Sequence, residues 1–123
     1  MSLLLDTHVL VWFAREEGRL PARVRRKILE YDGKICVSVV SGWEYGVKRA
    51  KFPHVFPEPF EQQLMPDYRR LGLDFDMHRH ADSLPPIHTD PFDRMLIAQA
   101  LNLDLTLVTA DKIIRRYPVR TLW

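Results

Sequence analysis

Five acidic residues stand where a chain of alternating strands and helices would bring their carboxylates together. Asp6 directly follows an apolar run, Glu44 and the pair Asp90 and Asp93 open helical segments, and Asp111 follows another apolar run. Gathered carboxylates repel one another and raise each other's pKa unless a cation compensates them. Oxygen ligands without cysteine or an obvious histidine suit a hard cation, Mg²⁺ or Mn²⁺. One or two such ions can activate a phosphodiester, so the set indicates metal-dependent phosphoryl chemistry.

Each of these acids also has an ordinary structural explanation. Ser41 and Glu44 have the spacing of a capping box, and Asp90 before a proline is typical of a helix N-cap. An aspartate in the first turn, such as Asp93, is favoured by the helix dipole. The hypothesis of a site therefore rests on the whole set, and not on any single member.

The elements that would position the acids alternate along the chain. Continuous apolar runs predict buried strands over 35–40 and three further segments: 3–5, 105–108 and 119–122. The alternating segment 71–77 predicts a half-exposed or edge strand. Helices are predicted over 7–15, from Pro21 to about 32, and over 42–51, 60–65, 80–84, 91–103 and 111–116. This order predicts an α/β domain with a mostly parallel sheet, whose ligands bind at the carboxyl edge.

The composition is that of one soluble domain spanning residues 1–123. The chain is 46% apolar and 28% charged, which excludes a disordered chain. Its net charge of +2, from 18 basic and 16 acidic residues, is too weak by itself to indicate nucleic-acid binding. A lone cysteine, Cys36, suits a reducing compartment. No segment approaches the roughly 20 apolar residues of a membrane span, and Asp6 interrupts the first apolar run, so we expect no signal peptide and a cytoplasmic protein.

Four sequence blocks carry the acidic residues. They are Leu-Leu-Leu-Asp-Thr-His at 3–8, Val-Ser-Val-Val-Ser-Gly-Trp-Glu at 37–44, His-Thr-Asp-Pro-Phe-Asp-Arg-Met-Leu-Ile-Ala-Gln-Ala at 88–100 and Leu-Val-Thr-Ala-Asp at 107–111. In this order, over nearly the whole chain, they resemble the PIN-domain family, and within it the VapC-type toxins of toxin–antitoxin pairs. The third block is the most specific of the four.

The resemblance implies a three-layer α/β/α domain with a central, mostly parallel sheet of about five strands. It also implies a Mg²⁺- or Mn²⁺-dependent endoribonuclease. The family's acidic quartet falls on Asp6, Glu44, Asp93 and Asp111, and its additional acid falls on Asp90. Asp6, Asp93 and Asp111 are expected to hold one or two ions directly or through water, with Glu44 and Asp90 as further candidate ligands. Glu44 is also expected to orient the attacking water. Thr109 falls where the family often has a small polar residue beside the site.

Several basic and aromatic residues are candidates for contact with substrate or partner. Arg94 or Lys112 could meet the charge of the transition state. Lys48 and Arg115 could track RNA phosphates together with Arg49, Lys51 and Arg116, although each of them taken alone is better explained as a solvated surface charge. Two histidines, His78 and His80, would share a face of a strand and could bind a metal, but no third ligand accompanies them.

The resemblance implies partners for this protein, and two rival functions are weighed against it. Resembled toxins are usually dimers and are neutralised by an antitoxin that often inserts a basic side chain into the acidic site. The aromatic residues Trp12, Phe13 and Trp43 are expected in the core, with a partner groove as the alternative. A catalytically inactive PIN-scaffold module that binds RNA or protein is one rival function. A phospho-receiver is the other, but Asp6 stands alone where a receiver needs paired acids.

Overall fold

The computed structural model describes residues 2–123, which form five strands and five α-helices. The strands are β1 (Ser2–Leu5), β2 (Lys34–Ser38), β3 (Arg69–Leu71), β4 (Thr106–Val108) and β5 (Thr121–Leu122). The helices are α1 (Thr7–Ala14), α2 (Ala22–Leu29), α3 (Val39–Lys51), α4 (Met77–Asp82) and α5 (Pro91–Leu103). Two short 3-10 helices cover Phe60–Gln63 and Ile114–Arg116.

The strands make one parallel sheet in the order β3-β2-β1-β4-β5. The central strand β1 pairs with β2, where Leu4 lies opposite Cys36, and with β4, where Leu5 lies opposite Val108. Parallel pairing places the carboxyl ends of β1, β2 and β4 side by side at one edge. The chain segments that leave this edge carry Asp6, Glu44 and Asp111.

Helices cover both faces of the sheet, because alternate side chains of β1 enter different cores. Leu3 and Leu5 pack with residues of α1 and α2, whereas Leu4 packs with residues of α3 and α5. Both faces of β1 are therefore buried, as a continuous apolar run predicts for a parallel strand. The three-layer α/β/α expectation is confirmed.

The predicted boundary between β2 and α3 is wrong by three residues. β2 ends at Ser38, whose hydroxyl accepts a hydrogen bond from the Val40 amide (3.0 Å) and caps a helix that begins at Val39. The proposed capping box from Ser41 to Glu44 therefore lies inside α3. Ser41 is fully buried there, and its hydroxyl accepts a hydrogen bond from Thr7 Oγ1 (2.9 Å), which joins α3 to α1.

The segment after β3 also differs from the prediction. An edge strand is present, but it is the short β3, and the Asp74 carboxylate accepts a hydrogen bond from the Asp76 amide (2.9 Å) in a turn. The alternation of apolar and acidic residues comes from this turn. α4 follows from Met77, so His78 and His80 are exposed on a helix, where residues two apart do not share a face.

The other predicted boundaries shift by a few residues. The last two strands are shorter than predicted, and only Ile114–Arg116 of 111–116 is helical. Pro21 is the N-cap of α2, and its first helical residue is Ala22. Within residues 2–123, the helices are all too short or too polar to cross a membrane.

Candidate active site

Asp6 is fixed at the centre of the sheet edge. It follows β1 and caps α1, with its Oδ1 accepting a hydrogen bond from the His8 amide (3.2 Å). Its Oδ2 accepts a hydrogen bond from Thr109 Oγ1 at 2.6 Å, and Thr109 is itself fully buried. Asp6 is only 4% exposed. This carboxylate is therefore held from two sides by residues that the sheet places there.

Glu44 reaches the same edge from α3 and is 3% exposed. Its Oε2 pairs with Lys48 Nζ at 2.9 Å, one helical turn further along. Its Oε1 is buried and has no hydrogen-bond partner among the residues that the structure describes. A buried carboxylate oxygen without a donor is unfavourable. Glu44 therefore has one oxygen available for a ligand.

The N-terminus of α5 contributes two acids with different local roles. The Asp90 carboxylate caps the helix by accepting hydrogen bonds from the amides of Phe92 (2.8 Å) and Asp93 (3.4 Å). Pro91 takes the first helical position, which suits a residue without an amide hydrogen. Asp93 lies in the first turn with its side chain 15% exposed, and its Oδ2 lies 3.0 Å from His88 Nε2.

His88 connects Asp93 to Asp111. Its Nε2 lies 3.0 Å from Asp93 Oδ2 and 2.9 Å from Asp111 Oδ2. Its Nδ1 accepts a hydrogen bond from the Asp90 amide at 3.1 Å, so a neutral His88 ring carries its proton on Nε2. That proton points at the two carboxylates, and the ring donates to them without offering them a lone pair.

Thr109 connects the loop after β4 back to Asp6. Its hydroxyl donates to Asp6 and accepts from the Asp111 amide (3.1 Å). Asp111 itself accepts a hydrogen bond from the Ile113 amide (2.8 Å). One threonine hydroxyl thus sets the positions of two acids that are far apart in the sequence.

The carboxylates differ in their electrostatics. Burial raises the pKa of Asp6 above its usual range, against the hydrogen bond from Thr109. Burial also raises the pKa of Asp93 to about 7, with further contributions from the charges of Asp6, Asp90 and Glu44. Burial acts in the same direction on Asp111, but hydrogen bonds from His88 and the Ile113 amide outweigh it and leave its pKa lowered.

This arrangement fits a divalent cation. The raised pKa values of Asp6 and Asp93 and the unpartnered Glu44 Oε1 are what a carboxylate site shows when its counter-charge is not supplied by the protein. Ligand atoms of His88, Asp93 and Asp111 lie within 4.8 Å of one another. Because the neutral His88 presents a proton there, the available donors are carboxylate oxygens, which suit Mg²⁺ or Mn²⁺.

Sequence reasoning overlooked His88, although it begins the most specific of the four blocks. Composition alone favoured a site without histidine. The only signal available was position: His88 stands two residues before Asp90. Its partner Asp111 is 23 residues away, so the contact depends on the packing of α5 beside β4.

Arg94 does not occupy the position expected of a catalytic residue. Its guanidinium donates to the carbonyls of Ala81 (2.8 Å) and Pro85 (2.9 Å) and to the hydroxyl of Tyr117 (3.3 Å). These bonds join α5 to α4, to the segment that follows α4 and to Tyr117. The guanidinium of Arg94 thus holds these parts of the structure together, and its auxiliary role in catalysis stays a prediction.

The other residues that were predicted to contact substrate or partner differ in where they lie. Lys48 lies at the site through its ion pair with Glu44, whereas Arg115 is exposed on the 3-10 helix Ile114–Arg116. Of the aromatic residues, Phe13 is in the core and Trp12 is partly buried. Trp43 is 65% exposed, and its ring meets that of Phe92 edge-on with 5.5 Å between the ring centroids. The prediction that Trp43 lies in the core was therefore wrong.

Comparison with known proteins decides the family. The PIN domain model matches residues 3–119. The chain belongs to the PIN domain family. The predicted resemblance is thereby confirmed, and the acidic residues described above lie within the matched range.

This PIN domain is similar to proteins of known name. Ribonuclease VapC22 of Mycobacterium tuberculosis is 29% identical over 130 residues, covering 99% of this chain and 98% of VapC22. A chain in the crystal structure of VapBC2 from Rickettsia felis bound to a DNA fragment from their promoter matches with a TM-score of 0.74 and 17% identity, covering 99% and 98% of the two chains. FitAcB from Neisseria gonorrhoeae matches with a TM-score of 0.74 and 19% identity, covering 98% and 96%. At these identities the two structures show the shared fold alone.

Proposed function

We propose that this PIN domain, a single domain over residues 1–123, is a metal-dependent endoribonuclease and the toxin of a toxin–antitoxin pair. The observation that carries the proposal is the convergence of Asp6, Glu44, Asp93 and Asp111, with raised pKa values at Asp6 and Asp93. The similarity to a protein named ribonuclease VapC22 supports RNA as the substrate. A binding module without catalysis would not need four carboxylates at one edge.

Asp6, Asp93 and Asp111 would hold Mg²⁺ or Mn²⁺, with Asp90 supporting Asp93 through the helix cap. When bound, the ion would supply Lewis-acid stabilisation of the charge on the phosphodiester. The residues around it have separate tasks. Thr109 fixes Asp6 and the loop that carries Asp111, and His88 fixes Asp111 against Asp93.

Glu44 is placed to act on water. Its unpartnered Oε1 can accept a hydrogen bond from a water molecule and orient that water's oxygen toward phosphorus. Hydrolysis then forms a bond from the water oxygen to phosphorus and breaks the ester bond to one ribose oxygen. The water proton passes to Glu44 or to solvent, and the leaving ribose oxygen takes up a proton.

Cleavage of end-labelled total RNA and transfer RNA by the purified chain tests this function. Reactions contain Mn²⁺, Mg²⁺ or EDTA, and Asp6→Asn and Asp93→Asn proteins are prepared identically. We expect cleavage at discrete sites that EDTA abolishes, and a rate about a thousandfold lower in both variants. Equal bands from wild type and variants would identify a contaminant. A wild-type protein that binds Mn²⁺ but leaves all RNA intact would favour the inactive binding module.

Two partner proposals accompany the function. The similar chains of known structure belong to VapBC and FitAB assemblies, which supports a cognate antitoxin for this chain. We also propose a homodimer in solution. Light scattering after size-exclusion chromatography tests the dimer, and inhibition of cleavage by a co-expressed candidate antitoxin tests the antitoxin.

A further inference from the structure

A pocket of about 150 Å³ opens beside the acid site, between α1 and α3. We call it the α1–α3 pocket. Its walls include the side chains of Trp12, Arg15, Arg19, Tyr45, Lys48 and Phe56. A cavity of this volume holds a ring about the size of benzene.

The pocket is joined to the acid site through two side chains. Lys48 Nζ lies 2.9 Å from Glu44 Oε2 and 3.1 Å from His8 Nε2. The amide of His8 donates to Asp6, and its ring lies 5.7 Å from the ring of Trp12. A strand whose phosphate met Asp6 and Glu44 would therefore have its neighbouring nucleotide at this pocket.

The lining of the pocket is cationic and aromatic. Arg15, Arg19 and Lys48 are opposed by one acid of the lining, Glu17. The Arg15 guanidinium lies 5.5 Å from the centre of the Phe56 ring. Its Nη2 is buried and has no hydrogen-bond partner within the described part of the chain. An unsatisfied buried donor is unfavourable, so a ligand with an acceptor atom would be favoured here.

Positive charge combined with aromatic walls is the pattern by which proteins bind single-stranded nucleic acid. An apolar peptide side chain would fill the space but leave the Arg15 donor unsatisfied. A nucleotide suits the aromatic walls, the Arg15 donor and the positive charge together. Its base offers a flat ring and acceptor atoms, and its phosphate offers negative charge.

We propose that the α1–α3 pocket binds the nucleotide next to the scissile phosphate. The base lies against the aromatic walls and accepts a hydrogen bond from Arg15, and the phosphate faces Lys48 and Arg19. This inference rests on the proposed function. It adds a substrate-binding pocket with a base preference, since a space of about 150 Å³ fits the single ring of a pyrimidine better than the fused rings of a purine.

The test measures RNA binding separately from cleavage. Fluorescein-labelled decamers of adenosine, cytidine and uridine are titrated into the full chain carrying Asp93→Asn, and anisotropy gives the Kd. In this background we compare Arg15→Gln and Arg19→Gln with Arg26→Gln, which removes the same charge from an exposed position on α2. Cleavage by the wild-type chain is recorded in parallel, and thermal melting checks that each variant folds.

We expect each pocket variant to weaken binding about tenfold and Arg26→Gln to change it less than about twofold. Cytidine and uridine decamers should bind more tightly than the adenosine decamer, because the pocket holds a single six-membered ring. If Arg15→Gln does not fold, the comparison of Arg19→Gln and Trp12→Leu with Arg26→Gln decides the question.

Other outcomes overturn the inference. Equal losses in the pocket variants and in Arg26→Gln would indicate diffuse charge attraction, and no loss or no RNA binding would also refute the pocket. The proposed function is judged independently: tenfold losses in binding together with an uncleaving wild-type chain would keep the pocket and reject the nuclease.

Discussion

The site has a more buried half, formed by Asp6, Glu44 and Asp93, and a more exposed half, formed by Asp111. We call them the buried half and the exposed half. The pKa values of Asp6 and Asp93 are raised, whereas the pKa of Asp111 is lowered. Asp93 and Asp111 contact the same nitrogen of His88, and the charge of Asp6 acts on Asp93. The difference comes from what else surrounds each acid. Asp93 has Asp6, Asp90 and Glu44 near it, while Asp111 accepts hydrogen bonds from His88 and from the loop backbone.

This difference indicates which half lacks a counter-charge supplied by the protein. The acids of the buried half lie directly after β1, within α3 and in the first turn of α5, so they cannot move apart without disturbing the core. Lys48 compensates only Glu44 directly. Asp111 is stabilised by groups that the protein itself supplies. We therefore expect changes that separate the two halves to reduce activity, and changes within each half to have opposite effects on stability.

The largest effect in this comparison is expected from Thr109→Val. Valine keeps the shape of threonine but removes the hydroxyl that donates to Asp6 and accepts from the Asp111 amide. Outer-shell partners of metal ligands contribute about 10–100-fold to affinity or activity, so we expect RNA cleavage to fall by that factor. Thr109→Ser, which keeps the hydroxyl, should retain most of the rate. Equal activity in the valine and serine variants would show that the hydroxyl does not couple the halves.

A smaller effect is expected from His88→Ala. The histidine holds Asp93 and Asp111 together with one N–H, and without it their carboxylates can separate. We expect the Kd for Mn²⁺, measured by calorimetry on the full chain, to rise about tenfold. His78→Ala, an exposed histidine on α4, is the matched control and should leave the Kd unchanged. Tighter Mn²⁺ binding by His88→Ala would mean that the ring blocks the ion and does not position its ligands.

Local sequence signals were enough to predict much of this architecture. Apolar runs such as the one ending at Leu5 predicted the parallel sheet, because a strand buried on both faces needs no alternation. The acids could be placed together because parallel strands end at one edge. Asp90 could be recognised as a cap because its proline and helix follow directly.

What could not be predicted depends on contacts between distant residues or on competing local signals. Ser38 and Ser41 are both plausible caps in the sequence, and only the length of the β2 ladder selects Ser38. The Asp74 turn imitates the alternation of a strand. His88 and Arg94 stand in the same block and look equally suited to catalysis. The structure distinguishes them by their contacts: His88 contacts Asp111, whereas Arg94 donates to the carbonyls of Ala81 and Pro85.

The smallest effect, and the most direct test of the comparison, is on the stability of the metal-free protein. The pKa of Asp93 is about 7 in the folded protein, whereas that of an unperturbed aspartate is 3.8. Between these values the folded state binds more protons than the unfolded state, so the free energy of unfolding decreases as pH rises. The penalty is complete above about pH 7. Asp93→Asn removes it, so we expect the variant to be more stable by about 1–2 kcal/mol at about pH 8, allowing for solvent screening.

Asp111 should behave in the opposite way, because its folded-state pKa is lowered. The ionised carboxylate contributes stability above its unfolded pKa, and that contribution is lost as pH falls through the folded value. Asp111→Asn should therefore destabilise the chain at about pH 8, by less than about 1 kcal/mol at so exposed a site. Urea unfolding in EDTA at about pH 8 and pH 5 measures the free energy of unfolding of both variants. The stability gained by Asp93→Asn should be smaller at the lower pH. If both variants shifted stability in the same direction, the two halves would not differ in their need for a counter-charge. That result would contradict our argument that the buried half binds a cation.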